Sequence, residues 1–198
     1  KGATHVRNQM PCQDNKRIVE ISDKLAIIAV ADGHGSSKCP RSDRGSMIAV
    51  NSFYEVMKNY LKVYGEDEAG LSNLITFLNR EGDMRFAQDV CEEWQARVKQ
   101  SFYKNKVDGM TDEDGNIKWP SVFSLYGTTL LGMLVTDSFV FSFQIGDGDI
   151  SFVTKEEVAP LVEPEKFLGI ETHSLSKPDA WRNSVASVRC PEREIEVP

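Results

Sequence analysis

The sequence predicts an α+β fold, because strand-like and helix-like stretches occur in separate blocks and do not alternate one by one. Two apolar and β-branched runs, residues 17–22 and 25–31, come first. Three stretches with apolar residues at helical spacing follow, and three strand-like runs come after an acidic loop. Short turns separate successive strands, so we expect mostly antiparallel pairing.

The first two runs predict a β-hairpin. Residues 22–24, Ser-Asp-Lys, lie between them and are typical of a tight turn. The run 25–31 is apolar throughout, which is the pattern of a strand buried on both faces. We therefore expect the second strand to lie inside the fold.

Three apolar stripes at helical spacing predict core-packed helices, and they run through residues 47–61, 71–78 and 87–102. The later strands are predicted at residues 128–136, 139–145 and 150–154, with breaks at 137–138 and 146–149, and they suggest an antiparallel meander. One further strand is predicted at residues 184–189.

Composition narrows the functional classes. The chain has 198 residues, a formal net charge of −7 and 40% hydrophobic residues, which suits a single domain over residues 1–198. The acidic balance argues against nucleic acid and anionic membranes as partners. Its longest clean apolar run, 25–31, is far short of the ~20 residues of a membrane span.

The four cysteines are widely spaced and form no C-x-x-C pair. A structural zinc site is therefore not expected. We interpret them as free thiols in a reducing compartment and expect a cytoplasmic protein.

The most informative local motif is D-G-H-G at residues 32–35, directly after a strand. A carboxylate at a strand tip is held rigidly, and Gly33 lets the backbone turn so that its carbonyl comes near. Carboxylate and carbonyl oxygens suit hard cations such as Mg²⁺. His34 can move a proton near neutral pH. From spacing alone, an Asp-Gly turn with a surface histidine remains the alternative.

Two further acidic positions accompany this motif. In the predicted hairpin, Asp14 lies far from the turn, at the same end of the sheet as Asp32. The two carboxylates are thus expected to meet, although a solvated strand start is the simpler alternative. Asp147, in G-D-G-D at 146–149, alone indicates only a hairpin turn. The acidic loop 108–116 fails the calcium-loop spacing, because Met110 falls where the first ligand belongs.

In series, these motifs resemble one family. The acidic motif at Asp14, D-G-H-G at 32–35, G-T-T at 127–129 and G-D-G at 146–148 follow the order of the metal-dependent, type 2C serine/threonine phosphatases. The resemblance covers essentially the whole chain. It implies a four-layer α-β-β-α sandwich and hydrolysis of phosphoserine and phosphothreonine in a phosphorylated protein substrate.

The resemblance also implies roles for single residues. Asp32 would bridge two Mg²⁺ or Mn²⁺ ions, and the Gly33 carbonyl would bind one of them. Asp14 would hold the metal-bound water that attacks phosphorus, and His34 would be the general acid. Asp147 resembles a ligand of an additional, weaker metal site.

Departures from the family pattern concern the phosphate ligand. Most members place an arginine closer to the motif aspartate, whereas Arg7 lies seven residues before Asp14 and His5 stands near the usual place. A bacterial branch resembles this arrangement and carries P-C-Q-D, as at residues 11–14. The phosphate-binding residue is left open between Arg7 and His5. Gln13 replaces the usual acidic neighbour.

The family carries a further D-G-x-x-[DS] and a final D-N downstream of these motifs, and neither pattern occurs between residues 152 and 198. We therefore expect the N-terminal portion of a C-terminally truncated domain, with weak metal binding and little activity. The alternatives are a non-catalytic phosphatase-like module that binds phosphoprotein or acts as a scaffold, and an unrelated α+β protein.

Overall fold

The computed structural model describes residue 7 and residues 11–153, 158–162 and 173–190. The strands are β1 (Asp14–Ser22), β2 (Leu25–Asp32), β3 (Leu130–Thr136), β4 (Val140–Ile145), β5 (Ser151–Val153), β6 (Val158–Pro160) and β7 (Val185–Arg189). The helices are α1 (Ser42–Tyr64), α2 (Glu68–Glu81), α3 (Arg85–Lys104), α4 (Trp119–Ser124) and a 3-10 turn (Ala180–Asn183).

The main sheet contains five strands in the order β1-β2-β3-β4-β7, all antiparallel to their neighbours. The predicted hairpin of β1 and β2 is confirmed, and its register places Asp14 directly opposite Asp32. Strand β1 begins three residues earlier than predicted, so the hairpin extends to both of these carboxylates.

The prediction that β2 is buried on both faces is wrong. Its residues alternate, with Leu25, Ile27, Ala29 and Ala31 buried on one face. On the other face Val30 is 43% exposed, and Asp32 at the strand end is exposed too. The reason is that α1 covers only one face of β1, β2 and β3. Asp32 therefore lies on the face opposite the helices.

The core lies between this covered face and the helices. The three predicted helical stripes are confirmed in α1, α2 and α3. Phe86 of α3 is fully buried, and its ring contacts Phe53, Phe141 and Phe143 edge-on at centroid distances of 5.7, 5.3 and 5.6 Å. Aromatic rings bury large areas, and this cluster fixes the helical layer on the sheet.

The meander prediction holds for β3 and β4 but not for β5. Strand β5 pairs with β6 in a separate two-stranded sheet, and β4 pairs with β7. Gly146 has φ +122°, a conformation that favours glycine, and it turns the chain away from β4. Gln144 donates from Nε2 to the carbonyls of Gly146 and Gly148, which holds this loop against the end of β4.

The acidic loop forms a small hairpin. Thr111 and Ile117 form an isolated antiparallel bridge. Asp112 accepts hydrogen bonds from the backbone N–H groups of Asp114 and Asn116 at 3.1 and 2.7 Å. These bonds lower the pKa of Asp112, and the bond from the Asn116 N–H has the largest effect. The carboxylate is therefore engaged in closing its own turn.

The α+β class is confirmed. Among the described residues, the predicted sandwich is represented by the five-stranded sheet, the helices on one of its faces and the β5–β6 ribbon. All four cysteines lie in the described part of the chain and are free thiols, as predicted. None of the described helices has the length and apolar character needed to cross a membrane.

Candidate active site

A cavity of about 490 Å³ lies at the sheet end where β1 begins and β2 finishes. It opens on the face of the sheet that carries Asp14 and Asp32. The loop after β4 brings in Asp147. The residues that line the cavity come from β1, from β2, from β3 and the residue before it, and from this loop: Asp14, Asn15, Lys16, Val30, Ala31, Asp32, Thr129, Leu131, Asp147 and Gly148. The structure thus gathers three predicted acidic residues around one cavity.

The backbone of Asp32 is fixed by the G-T-T segment. Its N–H donates to Thr129 Oγ1 at 3.1 Å, and its carbonyl accepts from the Thr129 N–H at 2.9 Å. The Thr128 hydroxyl also donates to this carbonyl, at 2.9 Å. A strand end held by several hydrogen bonds keeps its side chain in a defined position. Thr128 and Thr129 of the G-T-T segment therefore hold Asp32 by direct hydrogen bonds.

Gly33 occupies a position with no room for a side chain. A Cβ there would lie 2.6 Å from the Ser42 carbonyl oxygen and 2.8 Å from that of Gln13. The close approach lets the Gly33 N–H donate to the Gln13 carbonyl at 3.1 Å. The turn after Asp32 is consequently packed tightly against the start of β1 and the first turn of α1.

His34 follows on the same turn and is half-buried. Its N–H donates to the Gly127 carbonyl at 3.0 Å, and its ring lies against Gly127, where a Cβ would be 2.6 Å from Cδ2. Burial lowers the pKa of His34, the negative charge of Asp147 opposes this, and the positive charge of Lys177 adds to it. His34 is thus electrostatically linked to the cavity residue Asp147 without lining the cavity itself.

The carboxylates repel one another. Burial raises the pKa of the Asp32 carboxyl above its ordinary value. The hydrogen bond with Asp14 and the negative charges of Asp14 and Asp147 raise it further. Like charges held together favour either a shared proton or a cation between them. The pair is therefore chemically suited to a positively charged ligand.

The oxygen donors at the site are of the type that a hard divalent cation prefers, but they supply only part of its coordination shell. Two adjacent carboxylates and the neighbouring Gly33 carbonyl are the oxygen donors that Mg²⁺ and Mn²⁺ prefer. Within the described ranges, however, no group of three or more His, Cys, Asp or Glu side chains is close enough to hold one ion. Asp147 thus acts on Asp32 through its charge, and the described residues supply part of a coordination shell.

The predicted phosphate ligands are not brought to this cavity by the described structure. Arg7 is exposed and is not among the described residues that line the cavity. His5 lies outside the described residues. Both assignments therefore stay predictions.

Near the site, Lys16 was not singled out from the sequence, and the contacts of Thr129 and Gln13 were not predicted. Lys16 and Thr129 line the cavity, and Gln13 contacts the D-G-H-G turn. Lys16 was detectable in principle, because it lies two residues after Asp14 and so shares its face of the strand. The hydrogen-bond partners of Gln13 lie 21 and 29 residues further along the chain, and no local sequence pattern predicts such contacts.

The family model for protein phosphatase 2C matches residues 1–196 of this chain. The match takes in nearly the whole sequence, and the order of acidic motifs and the cavity they form agree with it. The chain belongs to the protein phosphatase 2C family, whose members generally depend on metal ions. The comparison with curated proteins found no match.

Solved structures of phosphatases resemble the chain at low identity. The phosphatase domain of the cell fate determinant SpoIIE from Bacillus subtilis is 12% identical, with 91% of this chain and 55% of that chain covered and a TM-score of 0.37. A bacterial serine phosphatase is 12% identical, with 91% and 65% covered and a TM-score of 0.47. Serine-threonine phosphatase 2C from Toxoplasma gondii is 16% identical, with 85% and 47% covered and a TM-score of 0.44. The chain spans roughly half to two thirds of these three proteins.

Proposed function

We propose that the protein to which this chain belongs hydrolyses phosphoserine and phosphothreonine in proteins, with two Mg²⁺ or Mn²⁺ ions held at the β1–β2 end of the sheet. The observation that carries the proposal is the register pairing of Asp14 with Asp32, which puts two carboxylates side by side at a cavity. Membership of the protein phosphatase 2C family supports the reaction class. The free state of all four cysteines supports a reducing, cytoplasmic compartment.

Each residue has one task in this proposal. The Asp32 carboxylate and the Gly33 carbonyl hold the cations, and Asp147 contributes to an additional, weaker ion site. When bound, divalent cations supply a water of lowered pKa and neutralise the phosphoryl oxygens during in-line attack. Asp14 orients the attacking water by accepting a hydrogen bond from it. Arg7 or His5 binds the phosphate.

His34 donates a proton to the departing serine or threonine oxygen. Its imidazole must be protonated to do so, and the nearby charge of Asp147 favours that form while burial disfavours it. The anchored backbone keeps the ring on one side of Gly127. A fixed donor of this kind contributes typically 10²–10⁴-fold to a rate.

The test is a Mn²⁺-dependent assay on the full-length protein with a phosphoserine peptide. Asp32→Ala is expected to lower kcat/KM by more than about a hundredfold, because it removes a direct ligand and not merely an outer-shell contact. Asp108→Asn is the matched control, since this exposed aspartate lies in the acidic loop away from the cavity. Full activity of Asp32→Ala would overturn the assignment.

One observation favours a second function, a phosphatase-like module that binds phosphoprotein without hydrolysing it. The described residues offer no group of three or more metal-ligating side chains. A wild-type protein that binds the phosphopeptide in Mn²⁺ but releases no phosphate would establish this alternative.

A further inference from the structure

Gln13, immediately before β1, joins three segments around the candidate site. Its carbonyl accepts from the Gly33 N–H at 3.1 Å and from the Ser46 hydroxyl at 2.5 Å. Its side-chain Nε2 donates to the His34 carbonyl at 3.3 Å and to Ser42 Oγ at 2.8 Å. One residue therefore links the start of β1, the D-G-H-G turn and the first turn of α1.

These contacts complete the anchoring of His34. On one side its N–H is bonded to Gly127, and on the other its carbonyl is bonded to Gln13. With both backbone groups fixed, the imidazole has little freedom beyond its own side-chain rotations. A proton donor has to be held within about 0.5 Å of its productive position to be effective. We propose that Gln13 is a positioning residue for His34, a role that rests on the proposed phosphatase function.

In this chain the side-chain amide of Gln13 supplies the donor for this role. Only the amide nitrogen can donate to the His34 carbonyl, because a carboxylate of the same shape has acceptors alone. Glutamate would also bring another negative charge beside Asp14 and Asp32. The substitution Gln13→Glu thus removes the donor while it keeps the size of the side chain.

The test compares two substrates of the full-length protein in Mn²⁺. Phenyl phosphate has a poor leaving group that needs a proton donor, whereas p-nitrophenyl phosphate has a good one that does not. Gln13→Glu is expected to lower kcat about tenfold on phenyl phosphate and less than about threefold on p-nitrophenyl phosphate, with KM little changed. In a His34→Gln background, Gln13→Glu is expected to add no further selective loss.

Two controls separate positioning from general damage. Asn51→Ala removes another link between β1 and α1, the hydrogen bond from Arg17, between two residues that are not among those lining the cavity. Gln100→Glu adds the same charge at an exposed position on α3. Neither is expected to change the ratio of the two substrates. Equal losses on both substrates in Gln13→Glu, or a further selective loss in the His34→Gln background, would overturn the proposal.

Hydrogen exchange tests, independently of activity, whether Gln13 clamps the backbone of His34 through its hydrogen bond to the His34 carbonyl. Without the Gln13 donor, peptides covering residues 32–36 are expected to exchange about three- to tenfold faster, while α3 is unchanged. Unchanged exchange at residues 32–36 overturns the clamp even if the enzyme is active. A wild-type protein without turnover overturns the proposed function and the catalytic role of His34. The exchange result then reports only whether Gln13 holds the backbone of His34.

Discussion

Replacing Gly33 with alanine tests how tightly the turn after Asp32 is packed. The added Cβ would lie 2.6 Å from the Ser42 carbonyl oxygen and 2.8 Å from the Gln13 carbonyl oxygen, whereas real Cβ atoms essentially never come within 3.0 Å of such atoms. Both neighbours are backbone, so the segments have to move apart by at least ~0.4 Å. That movement strains the hydrogen bond from the Gly33 N–H to Gln13.

The magnitude follows from these two effects. Overpacking a well-packed site costs about 1–3 kcal/mol, and weakening one hydrogen bond adds about 0.5–1.5 kcal/mol. We expect Gly33→Ala to lower the free energy of unfolding by about 2–4 kcal/mol, which for a domain of this size lowers Tm by roughly 5–15 °C. Urea denaturation followed by tryptophan fluorescence, without added metal, measures it.

Gly35 in the same motif provides the matched control. A Cβ at Gly35 would have its nearest neighbour, the side-chain Oε1 of Gln13, at 3.7 Å, which is ordinary contact. Gly35→Ala is therefore expected to change the free energy of unfolding by less than about 0.5 kcal/mol. Equal stability of Gly33→Ala and wild type, or equal damage from both variants, would refute the packing argument.

Two further predictions concern the core. Phe86→Ala should lower the free energy of unfolding, measured in urea, by about 3–5 kcal/mol, because a fully buried ring is lost from the aromatic cluster. Val63→Ala, at an 80% exposed position, is the control and should have almost no effect. Similar losses of stability in both variants would contradict the account. Burial raises the pKa of the Cys91 thiol to about 12, so iodoacetamide at pH 8 should alkylate exposed Cys12 and spare Cys91 until urea unfolds the chain. Mass spectrometry of the native protein checks this, and early labelling of Cys91 would contradict it.

Local patterns were enough to predict the elements that carry long periodic signals. The stripe of α1 and the paired runs of β1 and β2 are such signals, and the hairpin geometry predicts Asp14 and Asp32 at the same end of the sheet, where the structure pairs them. Short elements contain too few residues for a recognisable hydrophobic period. Helix α4 has six residues with a proline in its first turn, and β6 has three residues and ends on Pro160.

The errors came from contacts that depend on the whole fold. An apolar run such as β2 does not reveal that helices cover only one of its faces. The G-D-G-D segment looks like a hairpin turn, but Gly146 and the Gln144 amide direct the chain away from β4. The Gln13 contacts to His34 and Ser42 likewise arise only when β1 and α1 come together.

The effect of Mn²⁺ on stability tests most directly whether Asp14 and Asp32 form a cation site. A ligand that binds only the folded state at about a hundred times its Kd raises the free energy of unfolding by about 2.7 kcal/mol. The account predicts that Mn²⁺ stabilises the wild-type protein and Asp108→Asn in urea denaturation, and that it does not stabilise Asp32→Asn. Equal stabilisation of Asp32→Asn and wild type by Mn²⁺ would contradict it.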